Sequence, residues 1–244
     1  MSAPLPSNDG RRLAGPGNSL PYSVFQETSS TKQTAGRSEA RQDGDHRKIF
    51  LSTGVISKAK GSAYIEQGGT KVMAGVFGPK EVQRRSDFSV TGSLAVELKF
   101  APFACRGGRR AGGQRGEDRE AEELGLVLAE ALSSTVCLTK YPKSVIEVGV
   151  TVLEDDGGVV AAALTAAGLA LAAAGIHLYD LVVGVKVAMR PGDRILVDPS
   201  RAEERLAEGG ELTLGYLATL EQVCHCNMRN QNDRQPLTLS RLCV

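Results

Sequence analysis

Residues 153–184, LEDDGGVVAAALTAAGLALAAAGIHLYDLVVG, place an acidic, glycine-containing turn directly before an Ala-rich stretch. The Ala content predicts a helix, and the free N–H groups and dipole at a helix N-terminus attract anions. Asp155, Gly157, Gly158 and Val159 form this candidate anion site. Gly158 and Val159 add neither a hydroxyl nor a guanidinium group that could donate to an anion. The residue types therefore favour a tight turn with a helix N-cap over a working anion site.

A second candidate lies in residues 105–119, CRGGRRAGGQRGEDR. Arg106, Arg109, Arg110 and Arg115 fall there within ten residues that contain no acid. The glycine content predicts a flexible loop, and guanidinium groups fit the phosphates of a nucleic-acid backbone. No aromatic residue lies among the arginines to stack on bases, so such binding is expected to be independent of sequence and sensitive to salt. A solvated charged loop and a contact to a neighbouring subunit stay open as alternatives.

A Cys-His-Cys cluster, residues 224–226, has the residue types of a metal site. Structural zinc takes four ligands at recurring spacings, and only the distant Cys243 and the scattered His46 and His177 remain to complete the set. We therefore expect no metal site and no cofactor. The five cysteines, an odd number without regular spacing, suit a reducing compartment rather than a disulfide framework.

Composition places the chain among globular proteins. With 244 residues, of which 41% are hydrophobic and 23% charged, it is long enough to bury a substantial core. A formal net charge of +1 gives no global attraction to nucleic acids, so any such affinity must come from a local cluster. No apolar run has the length of a membrane span, and the N-terminus lacks the apolar core of a signal peptide. We expect a soluble, intracellular protein without a membrane partner.

Periodicity predicts an α/β fold in which helices alternate with runs of strands. Apolar residues at helical spacing predict a helix from Arg119 to Val136 with Asp118 as its N-cap, and the Ala-rich run predicts a second helix over 158–174. A hairpin is predicted in 61–77 around Gly68 and Gly69, ending at Gly78-Pro79. Further strands are predicted in 94–100, 145–153, 181–188, 195–197 and 212–217.

The organisation of the chain follows from the same patterns. Residues 1–45 hold few large apolar side chains and are expected to be a disordered N-terminal arm. Residues 46–222 are expected to form one domain. Residues 223–244 have no helical period and contain an Asn/Gln-rich patch, so we predict an irregular polar tail there.

Several short motifs occur in the order that one protein family shares. They are AKGSA at 59–63, GGTKV at 68–72, GP at 78–79, APFA at 101–104, YP at 141–142, EDDGG at 154–158, and DP at 198–199 leading to EE at 203–204. In this order, over residues 41–223, the chain resembles the RNase PH family of 3′-to-5′ phosphorolytic ribonucleases. The resemblance implies an α/β (α+β) fold of the ribosomal protein S5 domain 2-like βαβα type. Six such domains form a ring around a channel that RNA threads.

The resemblance gives the turn at Asp155 a specific meaning. In active family members the acid and glycine are followed by a Ser or Thr and then an Arg, which hold the attacking phosphate together with the helix N-terminus. Gly158 and Val159 occupy those positions here, so Asp155, Gly157, Gly158 and Val159 are interpreted as a degenerate phosphate site. Losing one preorganised donor of this kind costs about 10²- to 10³-fold in rate. Little activity is therefore expected.

The family's acids give a second test of activity. Active members carry a pair of acids, of which the second stands just before a strand and protonates the leaving oxygen. Glu204 matches the first position. At the second position stands Gly210 without a gap, or Glu211 with a shift of one residue. The residue types favour a solvated helix face formed by Glu203, Glu204 and Glu208 over a working acid.

The arginine loop corresponds to one that contacts RNA in active relatives. That loop follows a Pro-Phe strand end, and Arg109 falls near the matching place. The resemblance therefore makes Arg106, Arg109, Arg110 and Arg115 the predicted RNA-binding residues.

Five sequence segments are most similar to one ring-subunit type of the eukaryotic RNA exosome. They are AKGSAY, GGTKV, LEDDGG, AAALTAA and YDLVVG. The implied function is that of a non-catalytic ring subunit supporting assembly and RNA threading for 3′-to-5′ RNA processing and degradation, including rRNA processing and mRNA turnover. An active phosphate-dependent exoribonuclease is the alternative, and a ring component without RNA contact is a third possibility.

The implied partners are the other RNase PH-like subunits of a hetero-hexameric ring, among them one of the exosome component 7 type. The S1/KH cap subunits and RNA, bound without sequence preference, complete the set. The implied location is the nucleus, with the nucleolus, and the cytoplasm. Family members continue past Val223 with helical sequence that packs on the domain, where this chain has a polar tail. Exposed apolar surface on a sheet or on the central helix is therefore expected.

Overall fold

The computed structural model describes residues 41–82, 90–104, 113–190, 194–205, 210–229 and 237–238. Residues 1–40 of the expected arm, and Arg106, Arg109 and Arg110 of the arginine loop, lie outside these ranges. Within them, two five-stranded sheets and the helices between and beside them form the expected α/β fold. No helix in the described ranges is long and apolar enough to cross a membrane.

Sheet 1 holds the first half of the strands. It consists of β1 (Ile49–Thr53), β2 (Gly61–Gln67), β3 (Thr70–Glu81), β4 (Ser93–Phe100) and β5 (Ser144–Glu154). The strand order is β1-β2-β3-β5-β4, in which β4 and β5 are parallel and the other neighbours antiparallel. Gly68 and Gly69 form the two-residue connection between β2 and β3, as predicted. Val72, Ala74 and Val76 alternate along β3 and are fully buried on the core side.

The prediction that Gly78-Pro79 ends the second strand is wrong, because β3 continues to Glu81. Its pairing with β5 shifts register between Phe77 and Lys80. Proline has no N–H to donate to the neighbouring strand, so Gly78 and Pro79 lie in an irregular stretch of β3. Regular pairing with β5 resumes at Lys80.

The first long helix, α1 (Gly113–Thr135), begins earlier than predicted. We expected it to start at Arg119 with Asp118 as N-cap, but Asp118 lies inside the helix. The glycines before Arg119 lower helix propensity, yet adding a turn to a packed helix requires no new nucleation. The predicted apolar stripe is confirmed, since Leu124 and Leu128 are buried in the core.

Sheet 2 holds the second half of the strands. It consists of β6 (Val182–Arg190), β7 (Arg194–Val197), β8 (Gly210–Leu217), β9 (Gln222–Arg229) and β10 (Leu237–Thr238). All its neighbours are antiparallel, in the order β10-β9-β8-β6-β7. A one-turn helix, α3 (Arg201–Glu204), lies between β7 and β8 in the chain.

The irregular tail predicted from residue 223 onward is wrong for residues 223–229, which lie in β9 and pair with β8. Polar sequence such as Cys224 to Asn227 has little strand preference of its own, and the neighbouring strand supplies the hydrogen bonds that determine its conformation. Residues 230–236 and 239–244 lie outside the described ranges.

The second long helix, α2 (Val159–Ala173), contacts strands of both sheets and matches the predicted Ala-rich helix. Both sheets approach it closely. A Cβ atom at Gly61 would lie 2.2 Å from the backbone N of Ala174, and one at Gly184 would lie 2.2 Å from the carbonyl oxygen of Ala161. Glycine is therefore required where β2 and β6 cross this helix.

The side of sheet 2 that faces away from α2 is apolar across four strands, and we call it the outer face. It consists of Val183, Val185, Val187 and Met189 on β6, Ile195 and Val197 on β7, Leu212, Leu214 and Tyr216 on β8, and Val223, Cys226 and Met228 on β9. Ile195 is 58% exposed. The exposed apolar surface that we expected is thus found on a sheet.

Residues 41–45, which we assigned to the disordered arm, pack on the domain instead. A side-chain nitrogen of Arg41 lies 3.5 Å from a carboxylate oxygen of Glu203. The backbone N–H of Val197 donates to the carbonyl of Asp43 at 3.0 Å. The packed domain therefore includes the chain from Arg41 onward.

Candidate functional site

The turn before α2 is held by three hydrogen bonds from two side chains, Thr70 and Asp155. The hydroxyl of Thr70 donates to the Gly157 carbonyl at 2.7 Å and accepts from the Asp156 N–H at 3.1 Å. The Asp155 carboxylate accepts from the Gly157 N–H at 3.1 Å. Gly157 and Gly158 have φ angles of 89° and 69°, which L side chains rarely adopt. The predicted tight turn is confirmed, and Gly158 is the N-cap of α2.

A buried arginine, Arg47, also binds this turn through hydrogen bonds. The N–H groups of Arg47 donate to the carbonyls of Asp156 and Gly157, at 2.9 and 3.1 Å. The same guanidinium donates to both carboxylate oxygens of Asp198, which follows β7, at 2.8 and 2.6 Å. Burial alone would lower the pKa of Arg47, but hydrogen bonding and charge from Asp198 raise it. Arg47 is therefore a structural cation, because its N–H groups donate to Asp198 and to the turn carbonyls.

The carboxylate of Glu204 lies at the N-terminus of α2. Its Oε1 accepts from the N–H of Gly158 at 3.0 Å and from the ammonium of Lys186 at 2.6 Å. Burial raises the pKa of Glu204, and the charge of Lys186 partly offsets that rise. An anion from the chain itself thus occupies the position at the N-terminus of α2.

Of the two candidates for the second acid, Gly210 and Glu211, Glu211 brings a carboxylate to the cavity. The Oε2 of Glu211 lies 2.8 Å from Nζ of Lys186, so this lysine bridges Glu204 and Glu211. The one-residue shift considered for the sequence is therefore the arrangement that brings a carboxylate into the site.

The predicted solvated helix face is wrong for two of its three residues. Glu203 is buried, and its carboxylate accepts from the Ser200 N–H at 2.9 Å. Glu204 is largely buried at the turn. Glu208 lies outside the described ranges. The four-residue helix α3 is therefore a support for the turn before α2 rather than a charged surface.

These groups line a cavity of about 330 Å³. Its ionisable lining consists of Glu120, Asp155, Glu204, Glu211, Lys186, Arg201 and Arg205. Lys186 is shared by Glu204 and Glu211, and Arg201 pairs with Asp155. Because these two cations are already matched to carboxylates, the cavity offers an incoming phosphate less positive charge than its composition suggests.

The residues predicted from the sequence are placed as follows. Asp155, Gly157, Gly158 and Val159 lie together at the cavity wall. Arg115 belongs to the first turn of α1. Sequence reasoning missed Arg47 and Lys186 as parts of the site. Asp198 was noted only as part of a family motif, and no local pattern pairs it with Arg47.

The Cys-His-Cys cluster lies on β9. Cys226 is on the outer face and His225 is buried on the opposite side of the strand. Among the described residues, no group of three or more His, Cys, Asp or Glu side chains is arranged to hold a metal ion.

Comparison with known proteins agrees with the fold. Residues 45–177 match the family model of the 3′ exoribonuclease family, domain 1, or RNase PH. The chain belongs to this family, and its fold is the RNase PH-like fold expected from the motifs.

Particular relatives are subunits of one complex. The chain is 40% identical over 229 residues to the exosome complex component MTR3 of Mus musculus, with 88% of this chain and 81% of that protein covered. The Homo sapiens protein of the same name is 39% identical over 229 residues, covering 88% and 80%. A solved Archaeoglobus fulgidus exosome with RNA bound to the active site has a TM-score of 0.67 and 26% identity, covering 81% of this chain and 83% of that chain.

Proposed function

We propose that this chain is a non-catalytic RNase PH-like subunit of the RNA exosome ring. It supports assembly of the ring and the passage of RNA during 3′-to-5′ processing and degradation. The similarity to exosome component MTR3 over 88% of the chain supports membership in that complex. The similar archaeal exosome, solved with RNA bound to its active site, supports a role in RNA metabolism.

The observation that carries the absence of catalysis is the N-terminus of α2, where Gly158 and Val159 bring no side-chain donor. In active members of the family, a Ser or Thr and an Arg hold the attacking phosphate at the N-terminus of the central helix. Here those positions are Gly158 and Val159, and the helix N-terminus already receives the Glu204 carboxylate at 3.0 Å. A phosphate would meet this negative charge at close range. The proposal of inactivity therefore rests on the two missing side-chain donors, and the Glu204 carboxylate adds to the cost of placing a phosphate there.

The alternative, an active phosphorolytic exoribonuclease, is favoured by one observation. Glu211 lines the cavity beside Lys186. A carboxylate in this place matches the position of the family's general acid. Catalysis would still require phosphate to be held against Glu204 without a hydroxyl or guanidinium from residues 158 and 159.

The two functions are separated by an assay on the reconstituted ring with 3′-hydroxyl RNA and inorganic phosphate. Rings carrying the Glu211→Gln chain are compared with rings carrying Glu97→Gln, a control on an exposed residue. We expect the release of nucleoside diphosphates to be the same for both. A loss of release confined to Glu211→Gln would contradict the proposed function and support the active enzyme.

Contact with RNA is the second part of the proposal, and it is assigned to Arg106, Arg109, Arg110 and Arg115. Replacing Arg106, Arg109 and Arg110 with Ala is expected to lower crosslinking to RNA threaded through the ring and to lower its sensitivity to salt. Arg119→Ala is the matched control, since Arg119 is an exposed arginine of α1 next to the loop. Unchanged crosslinking in the triple variant would favour a ring component without RNA contact.

The partners and the location follow from the same proposal. An RNase PH-like neighbour of the exosome component 7 type and the S1/KH cap subunits are expected in a pull-down of the tagged chain. A tagged chain is expected in the nucleus, including the nucleolus, and in the cytoplasm. Recovery of the chain without any ring subunit would contradict assembly into this complex.

A further inference from the structure

The outer face of sheet 2 is a second surface whose residue types point to binding. The helix α2 contacts the other side of the sheet, where a Cβ at Gly184 or Gly215 would meet Ala161 or Leu164. On the outer face the best exposed side chains are Ile195 at 58%, Val183, Met189 and Met228 at 42% each, and Tyr216 at 39%. Single exposed apolar residues are common on proteins, but a continuous group across four paired strands is not.

The size of this face is close to what a weak specific interface needs. Four strands about 4.8 Å apart and about seven residues long at about 3.3 Å each cover roughly 400 Å². The largest apolar patch on a typical monomeric protein covers about 300–600 Å² and often has a function. Two such faces in contact would remove roughly 800 Å² from solvent if each face is treated as a flat surface. This area is near the lower limit of about 1,000 Å² for a specific interface.

We propose that the outer face binds the outer face of a second copy of this chain. Val, Ile, Leu, Met, Tyr and Cys occupy its positions, so two identical faces meet without repulsion between like charges. Antiparallel sheets pack in this way, face to face, about 10 Å apart. A two-fold arrangement uses the same patch on both copies and closes at the dimer. This inference does not depend on the role of the chain in an RNA-processing ring.

The area also sets the expected strength. An interface at the lower end of the specific size class, composed of aliphatic side chains with one Tyr, is expected to give a dissociation constant of about 1–100 μM, since few of its residues are typical hot spots. The monomer–dimer equilibrium should therefore shift from monomer to dimer within the range of protein concentrations used in solution experiments.

Sedimentation velocity of the full chain tests the proposal between about 1 and 200 μM. The wild type is expected to shift from monomer to dimer over this range. Ile195→Glu places a charge in the face and is expected to weaken the dimer at least about 100-fold, because like charges then meet in an apolar interface. Phe50→Glu is the matched control, since Phe50 is also 58% exposed but lies on β1 of the other sheet. It should dimerise as the wild type does.

Far-UV circular dichroism at each concentration checks that both variants are folded. A wild type that stays monomeric up to 200 μM overturns the proposal, and so does a dimer that Ile195→Glu leaves intact. Large, heterogeneous aggregates in place of a dimer overturn it as well. If the isolated chain is monomeric and Ile195→Glu instead blocks incorporation into a ring, the face belongs to a different subunit and the second copy is excluded.

Discussion

Arg47 and Asp198 form a buried, two-pronged ion pair between residues that lie 151 positions apart in the chain. Nε donates to Oδ2 at 2.8 Å and Nη2 donates to Oδ1 at 2.6 Å. Burial alone would raise the pKa of Asp198, but hydrogen bonds and charge from Arg47 and a bond from His46 hold it well below its usual range. The pair joins the segment before β1 to the end of β7 and supports the turn before α2.

Asp198→Asn is expected to destabilise the fold by about 3–5 kcal/mol, because it removes the nearest counter-ion of the buried Arg47 charge and leaves only Asp156, at 3.8 Å, within ion-pair distance among the described residues. Urea unfolding followed by circular dichroism measures the free energy of unfolding. Glu97→Gln is the control, because Glu97 pairs with Lys99 in solvent and such pairs contribute at most about 1 kcal/mol. Equal losses in both variants would mean that the Arg47–Asp198 pair has no special stabilising role.

Local signals predicted the parts of the fold that local chemistry determines. The hairpin at Gly68 and Gly69 and the Ala-rich helix α2 were predicted because turn residues and composition act over a few neighbouring positions. The strand β9 was missed because its polar sequence becomes a strand only through pairing with β8. The early start of α1 was missed because the glycines at its beginning have low helix propensity. The packed second half of the helix stabilises this first part.

The same distinction holds for the candidate site. The turn residues Asp155 to Val159 are consecutive, so their types indicated the turn, and the resemblance to the RNase PH family indicated the missing donors. Glu204 meets Gly158 and Lys186 only after β6, α3 and α2 have assembled, and 46 positions separate Glu204 from Gly158. No sequence period reports such a contact. The anion at the helix N-terminus is therefore a property of the assembled fold.

Glu204→Ala is expected to open an anion site at the N-terminus of α2. It frees the Gly158 N–H and leaves Lys186 with a single carboxylate, Glu211, so inorganic phosphate meets less repulsion. If phosphate then binds with a dissociation constant of about 1 mM, 10 mM phosphate stabilises the variant by about 1.4 kcal/mol. Thermal unfolding in phosphate and in chloride of equal ionic strength measures this difference.

The control for this experiment is Glu204→Gln, which removes the charge but keeps an oxygen that can accept from Gly158. Its response to phosphate should lie between those of the wild type and Glu204→Ala. A wild type that phosphate stabilises as much as it stabilises Glu204→Ala would contradict the view that Glu204 occupies the site.

His225 is expected to make stability fall on mild acidification. Burial lowers its pKa, and the charge of Glu130 opposes this only in part. The unfolded chain then binds more protons than the folded chain below the unfolded pKa of about 6.5, so stability is lost as the pH falls through that value. The loss is about 1.4 kcal/mol for each unit by which the pKa is lowered.

Urea unfolding at pH 7.5 and pH 5.5 measures this effect in the wild type and in His225→Leu. The variant cannot titrate at this position and should show the smaller difference between the two pH values. Nε2 of His225 is buried without a hydrogen-bond partner among the described atoms, so the apolar replacement is expected to be tolerated at pH 7.5. An equal pH difference in both chains would assign the effect to other groups.

Gly184→Ala tests the close contact between sheet 2 and α2. The added Cβ would lie 2.2 Å from the Ala161 carbonyl oxygen and 2.6 Å from its Cα, so either the strand or the helix must move. The expected cost is about 3 kcal/mol or more, the upper end for overpacking a core, because the clash is with backbone rather than with a flexible side chain. Gly149→Ala on β5 is the matched control, since a Cβ there meets nothing within 4 Å. It should change stability by less than about 1 kcal/mol and favour the folded chain slightly, since alanine restricts the unfolded state.

Similar melting temperatures for the two variants would show that α2 can move away from β6 at little cost. The fixed position of the α2 N-terminus beside Glu204 would then lose its structural basis.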